Sequence, residues 1–472
     1  MKLWFNANFY SMKDSKTKYD KVLTNKGVII AVGDDCDNYH ALEKIDLKGA
    51  YVYPGFTDSH MHLLGYGRKL SSNNLLLNKN KEEVLKLISS MFKEDTLKVE
   101  GYYNIGITKD DLDLISRDHL IILRHNDYHS FTVNSKVLKL TNLTNSNGII
   151  TNEQEASLIK PYYENSSKEE LINYGINAID SLHKNGFTSI HTDDLSYFNS
   201  YLETVEILND LSKNKKLRIN TLIHYKILNN YLKYYPTNNN LLKDIQVKLF
   251  YDGTLSSKTA YLNSYYKNTL NNGIKMFEDK ELKELVKKIR KNDKGLAIHV
   301  IGDKGLDEVV SLINKTKRKG VIDRIVHASL ASTNVLSKIG NTAIDIQPLF
   351  IKSDEDFINE NIVHDVLVYP FKEYLKESII LNSSSDAPVE DINPILSIYE
   401  LLKVGLNNFE AVKSYTINPY LTINQKGGLI EKGYYADFTV FNKDILKISQ
   451  NELLQTKVKY TIIDDEVVYK KV

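Results

Sequence analysis

The chain has 472 residues, 42% of them hydrophobic, and its 61 basic and 60 acidic side chains leave a net charge of +1. That balance gives no basis for a nucleic-acid or membrane-surface partner, and no apolar run approaches the ~20 residues of a membrane span. Cys36 is the single cysteine, so an intrachain disulfide and a thiolate metal cluster are both excluded.

The N-terminal MKLWFNANFYSMKDS has no continuous apolar core and no small-residue cleavage site. With the lone cysteine, this predicts a protein of the reducing cytoplasm. The stretches KGVIIAVGDD and KIDLKGAYVYPGF follow, alternating like strands joined by turns. The C-terminal end reads the same way, in GGLIEKGYYADFTVFNKD and KVKYTIIDDEVVYKK. Residues 1–53 and 425–472 are therefore predicted to build one small β domain from both ends of the chain.

Between them, short apolar strands alternate with helical patterns such as Glu169–Lys184 and Leu282–Arg290. The strands are predicted at Tyr53–His62, Thr188–Asp193, Arg218–Tyr225, Gln246–Tyr251, Leu296–Ile301, Arg324–Ala328, Ala343–Gln347 and Ile379–Ser385. Eight βα units predict an α/β fold, a (β/α)8 TIM-like barrel over residues 54–424, with its site at the C-terminal strand ends. A ninth candidate, Leu120–His125, falls outside that count. It is placed in an insertion at about 65–165, after the first strand, expected to cover the site.

Several of the 12 histidines fall at predicted strand ends. His60 and His62 form H-x-H in GFTDSHMHLLG, and residues i and i+2 of a strand point to one side. His299 ends the strand in GLAIHVIGDKG, His327 the one in DRIVHASLA, and Asp386 follows the last, in IILNSSSDAPV. Taken singly, each is as well explained by a satisfied barrel histidine or a helix-capping aspartate. Together they bring four imidazoles and a carboxylate to one rim, where a metal ion would compensate their burial. Lys248, in IQVKLFYDGTLSSKTA, is open to two readings: an ion pair with Asp252, or a carboxylated lysine bridging two metals. His183 and His364 match no ligand position, and Asp303 is expected to position a loop.

These motifs, in this order, resemble the amidohydrolase superfamily. The finer similarity is to its long-chain branch that includes N-substituted formamide deformylase, through DYHSFTVNS, GFTSIHTDD, VKLFYDGTLSSKTA, LAIHVIGDKG, IQPLF, YPFKEYL, SSSDAPVED, YTINPYL and the closing GGLIEKGYYADFTVFNKD. The resemblance runs from about residue 25 to the C-terminus. It implies a barrel with a composite β-sandwich formed by both chain ends, one or two zinc ions or another divalent transition metal, and water as nucleophile. It implies that His60 and His62 ligate the more buried metal and His299 and His327 the second. Lys248 takes the bridging position, and Asp386 is a ligand that also accepts the water proton. Asp127 and His129 match the branch's D-x-H, and with His191 they are expected to contact substrate.

Two tryptophan-bearing stretches of the branch are altered here, to Thr132-Val133-Asn134-Ser135 and to Gly101-Tyr102-Tyr103-Asn104. The changes bear on substrate, and Tyr102, Tyr103 and Tyr128 are pocket candidates on the same ground. The expected reaction is hydrolysis of a non-peptide C–N bond in a small-molecule amide, such as an N-formyl or N-acyl amine. The alternatives are a cyclic amidohydrolase, a deaminase, or a non-catalytic metal-binding relative. Family members are often homo-oligomers, and no feature of this sequence decides that. No phosphate-binding or dinucleotide glycine motif is present.

Overall fold

The computed structural model describes residues 1–74, 80–92, 96–125, 130–235, 239–363 and 365–471. They form two compact units, Met1–Leu63 with Ala178–Val472, and Leu64–Asn177.

In the larger unit, eight parallel strands make one sheet, each paired with its neighbours in the series. In chain order they are Phe56–Met61, Phe187–Thr192, Arg218–His224, Leu242–Phe250, Leu296–Val300, Asp323–His327, Thr342–Ile346 and Leu381–Ser383. All eight correspond to predicted strands. Strands such as Leu296–Val300 and Thr342–Ile346 are buried at every position, as expected where a parallel sheet is covered on both faces. Helices follow the strands, and Asp279–Lys291 shows why: Leu282, Val286 and Ile289 recur at helical spacing and are its buried side.

The sheet closes almost completely into a barrel. Its seam lies between the first and last strands, where Asp386 N donates to His60 O at 2.9 Å and His62 N to Ala387 O at 2.7 Å. Ser59 Oγ adds a bond to Ser383 O at 3.0 Å. Inside, a fully buried Arg324 bonds Asp345 Oδ2 through Nε at 3.0 Å, Ser59 O through Nη2 at 2.6 Å and His191 Nδ1 through Nη1 at 2.8 Å. An unpaired cation here would be costly. Paired with Asp345, it ties the first, second, sixth and seventh strands at one level.

Both chain ends contribute to one seven-stranded sheet, in the order Glu466–Lys470, Val458–Ile463, Phe438–Phe441, Glu43–Pro54, Lys2–Tyr10, Lys18–Asn25 and Val28–Val32. Its core includes Trp4, Phe9, Val22, Val52, Phe438 and Ile462. Residues predicted as one strand, Tyr53–His62, are divided between this sheet and the barrel, with Gly55 at the handover. A Cβ on Gly55 would lie 2.0 Å from Thr188 Oγ1, so the chain can cross there only without a side chain. Arg218 fastens the two sheets by donating to both oxygens of Asp437, at 2.5 and 2.9 Å, beneath the ring of Tyr435.

The smaller unit has its own five-stranded sheet, in the order Ile149–Ile150, Phe131–Val133, Leu120–His125, Thr96–Tyr102 and Asn73–Asn74. Leu120–His125, the strand outside the barrel count, is central in it. Val84 and Ile88 of the helix Lys81–Met91 pack with Val99 and Leu123, and Val137 and Ile159 pack with Ile122 and Phe131. Among the described residues no helix is long and apolar enough to cross a membrane.

Candidate metal centre and active site

The H-x-H pair and the aspartate after the last strand meet at the barrel seam. One ligand atom from each of His60, His62 and Asp386 lies within 4.8 Å of the others. Asp386 Oδ1 is 3.3 Å from His60 Nε2 and 3.6 Å from His62 Nε2. Tetrahedral zinc with bonds of about 2.0–2.2 Å sets its ligand atoms about 3.3–3.6 Å apart, so these spacings suit such an ion. Asp386 is held at φ 55 and His327 at φ 81, a left-handed backbone that costs side-chain-bearing residues energy and is often found at functional sites.

His299 and His327 form the second pair, with ring centres 4.5 Å apart, and His327 lies 6.0 Å from His60. Lys248 is fully buried, and its Nζ sits 3.0 Å from His60 Nε2. The ion pair with Asp252 does not form. Asp252 instead accepts from the backbone amides of Tyr261, Ile301 and Gly302, bracing two loops.

The opposite nitrogens of three of these histidines are fixed by what they touch. His62 Nδ1 faces the carbonyl of Asp193 at 2.8 Å, and His299 Nε2 the carbonyl of Gly253 at 3.1 Å. A carbonyl only accepts, so these nitrogens carry the hydrogens. For His327 the acceptor is Gln347. The amide nitrogen of Gln347 donates to Asp345 O at 3.1 Å and Ser384 Oγ at 2.8 Å, which turns its Oε1 to His327 Nδ1 at 2.7 Å. His62 Nε2, His299 Nδ1 and His327 Nε2 are left as the nitrogens that can offer lone pairs, the arrangement that supporting hydrogen bonds impose on metal-binding histidines.

Charge agrees with this set. Burial pushes His60 and His299 well below the usual imidazole range and His327 down to about 4, so all three are neutral at pH 7. Burial also opposes charging His62, but its bond to Asp386 and the charges of Asp386, Asp193 and Asp194 outweigh it and raise it to about 9. Burial works against ionising Asp386, yet its bonds to His60 and His62 hold its carboxyl well below the usual range. Burial lowers Lys248 to about 8, against the pull of Asp193, Asp386 and Asp345. Neutral imidazoles around a carboxylate are the protonation states a divalent metal requires. The proton of His62 and the ammonium of Lys248 stand where such an ion would replace positive charge, so the residues fit a metal.

Around this centre seven aromatic rings form a closed circuit. From His60 it runs to His62 (5.5 Å), Tyr197 (5.4 Å), His224 (5.5 Å), Phe250 (5.6 Å), His299 (5.3 Å), His327 (4.5 Å) and back (6.0 Å). Sequence reasoning missed Asp193, Tyr197, His224, Phe250 and Gln347. Three of them carried a usable signal, since Asp193, His224 and Gln347 fall at or beside the ends of the second, third and seventh predicted strands.

His191 is fully buried at the level of Arg324. Asp127, Tyr128, His129 and His364 lie outside the described residues. Tyr102 is buried in the smaller unit, its hydroxyl accepting from Ile105 N and Ile107 N, whereas Tyr103 is exposed. His183 is buried and bonds Lys216 O at 3.1 Å, a structural position. Asp303 holds Asn263 through its backbone and side-chain nitrogens, at 3.1 and 2.7 Å.

Known proteins share this arrangement of chain and fold. YtcJ of Bacillus subtilis (strain 168), named as an amidohydrolase, is 26% identical, and the match covers 99% of each chain. The N-substituted formamide deformylase of Arthrobacter pascens is 23% identical over 42% of this chain and 41% of its own. An uncharacterized metal-dependent hydrolase from Pyrococcus horikoshii OT3 superposes with a TM-score of 0.81 at 26% identity, covering 95% of this chain and 99% of that one. The zinc complex of atrazine chlorohydrolase TrzN from Arthrobacter aurescens TC1 shares the fold at 12% identity, with a TM-score of 0.60, over 100% of this chain and 95% of its own. The family model described as the amidohydrolase family matches residues 43–469, nearly the whole chain, and with the barrel and its histidine-rich rim on view, the protein belongs to that family of hydrolases.

Proposed function

We propose that the protein hydrolyses a non-peptide C–N bond in a small amide, with an N-formyl or N-acyl amine as the favoured substrate class. The observation that carries this reading is the convergence of His60, His62 and Asp386 at ligand spacing, beside a buried lysine and a second histidine pair. The partial similarity to an N-substituted formamide deformylase supports the choice of bond.

In this reading His60, His62 and Asp386 would hold one divalent ion and His299 and His327 a second, and Lys248, once carboxylated, would add carbamate oxygens to the donor set. A zinc ion so held lowers the pKa of water from about 15.7 to roughly 7 and polarises a carbonyl. Asp386 Oδ1 faces the two histidines, which leaves Oδ2 to accept the proton of the attacking water and return it to the departing nitrogen. The aromatic circuit limits water around the reacting amide and so strengthens each polar contact inside it. His191, bonded to Arg324, supports the rim from below.

The test begins with metal content, measured by mass spectrometry on protein purified without chelator or metal-affinity resin. About one to two equivalents of zinc are expected, reduced in His60→Ala/His62→Ala. A panel of N-formyl and N-acyl amines should then yield a carboxylic acid and an amine. Release of ammonia would instead identify a deaminase. Protein that stays metal-free after growth in zinc-supplemented medium would overturn the proposal.

A further inference from the structure

We infer that a second binding site, separate from the metal centre, takes a small, multiply charged oxyanion: inorganic phosphate or the phosphate head of a small phosphomonoester. It shares no residue with the histidine-rich rim and does not depend on the reaction proposed above.

The site is a cavity of about 200 Å³ where four segments meet. Lys184 ends the helix that leads into the second barrel strand, and Asn393 and Pro394 begin the helix Pro394–Lys403. Thr456 and Lys457 belong to the loop before the strand Val458–Ile463, and Lys471 follows the strand Glu466–Lys470. At about 30 Å³ per water, the space matches roughly seven waters. It is smaller than the ~300 Å³ at which pockets for drug-sized molecules begin. It therefore suits a small ion, or the head of a larger molecule whose remainder lies in solvent.

Charge decides the class of ligand. Lys184, Lys457 and Lys471 line the cavity, and among the described residues no Asp or Glu does. Three larger cavities each have at least two acidic residues in their walls: Asp20 and Asp37, Asp244 and Asp293, and Asp464 with its two successors. Other lysines of this region find carboxylates, as Lys215 does with Asp180 at 2.5 Å and Lys216 with Glu466. Among the described residues Lys184, Lys457 and Lys471 pair with none. Exposed lysines alone are commonly just solvated. What distinguishes these is Thr456, which lines the same cavity at 8% exposure while its Oγ1 is buried without a hydrogen-bond partner. Such a hydroxyl is costly, and an oxyanion would supply its acceptor. The loop is held in place, with Thr456 N donating to Leu453 O at 2.8 Å and Lys457 N to Asn442 Oδ1 at 2.7 Å. The helix Pro394–Lys403 adds the positive end of its dipole. The helix that ends at Lys184 presents its negative end, but the carbonyls of Ser181, Leu182 and His183 accept from Asn185 N, Gly186 N and Thr461 Oγ1. The exposed lysine stems leave their ammonium groups free to close on an anion.

The test titrates inorganic phosphate and glycerol phosphate into the full chain as purified, by calorimetry at fixed ionic strength, and locates them by amide hydrogen exchange. Saturable binding is expected, with slower exchange over residues 456–458. Lys184→Gln/Lys457→Gln should weaken it at least about 10-fold, and Thr456→Val, which leaves the charge unchanged, about 10-fold. Thr456→Ser keeps the hydroxyl and should keep the affinity, which preserves the test if Thr456→Val fails to fold. Metal content should be the same in every variant. Tighter binding of inorganic phosphate would identify the free ion as the ligand, and binding of the ester at least as tight would identify a phosphorylated small molecule. Absence of saturable binding would overturn the site. So would weakening by the lysine substitutions with none in Thr456→Val, the mark of diffuse attraction to surface charge. Phosphate held only at the metal would protect the rim and survive the lysine substitutions, and that result would overturn the site as well.

Discussion

Three of the rim histidines, His62, His299 and His327, owe the placement of their free nitrogen to a bond made at the far side of the ring. The acceptors for His62 and His299 are main-chain carbonyls of Asp193 and Gly253, which any sequence possesses, so no residue type could have announced them. The histidines themselves were legible, because strand-end positions and the H-x-H spacing place them on one rim. Gln347 was visible within a family-like stretch but carried no readable role. Its part depends on Ser384 and Asp345, which fix the orientation of its amide. Gln347→Leu should lower affinity at the His299/His327 position about 10–100-fold while sparing the His60/His62 position, whereas Gln347→Glu, which keeps an acceptor, should lose less. Zinc titration with mass-spectrometric counting distinguishes these outcomes, and equal loss at both positions would refute the assignment. Asp386→Asn should abolish turnover yet keep most of the metal. Near-normal turnover in that variant would remove Asp386 from proton transfer.

Among the elements, hydrophobic alternation located all eight barrel strands but not the passage from one sheet to another. Tyr53–His62 looked continuous because both pieces are extended and apolar. The division at Gly55 depends on the closeness of Thr188, a contact between residues far apart in sequence. The last strand was drawn two residues too long at each end, because Ile379–Ser385 reads as one extended stretch while only Leu381–Ser383 is paired. Arg218 and Asp437 were likewise unremarkable as letters, yet they join the third barrel strand to the terminal sheet while both are buried. Removing one partner of a buried pair strands the other's charge, so Arg218→Met should cost about 3–5 kcal/mol. A lower melting temperature with metal content unchanged is expected. An unaltered melt would show that the two sheets are held together by their apolar contacts alone.

For the whole molecule, the bonds at the seam would give the proposed metal a mechanical part. His60 lies near the end of the first strand, His62 one residue past it and Asp386 just beyond the last, so the ion proposed for these three residues would work as the clasp of a hoop. Without it, the hoop is fastened there by a few backbone and hydroxyl bonds, and its two ends are where parting begins. A ligand present at 1,000 times its Kd stabilises a fold by about 4 kcal/mol. Chelation should therefore lower the melting temperature, and hydrogen exchange should quicken first at the amides of His62 and Asp386 rather than in the middle strands. Uniform acceleration around the hoop would show that the ion fastens nothing in particular. The same linkage runs in reverse: a chain that has not yet brought its last strand to its first has only part of the binding site, so tight metal capture reports that the circle has closed.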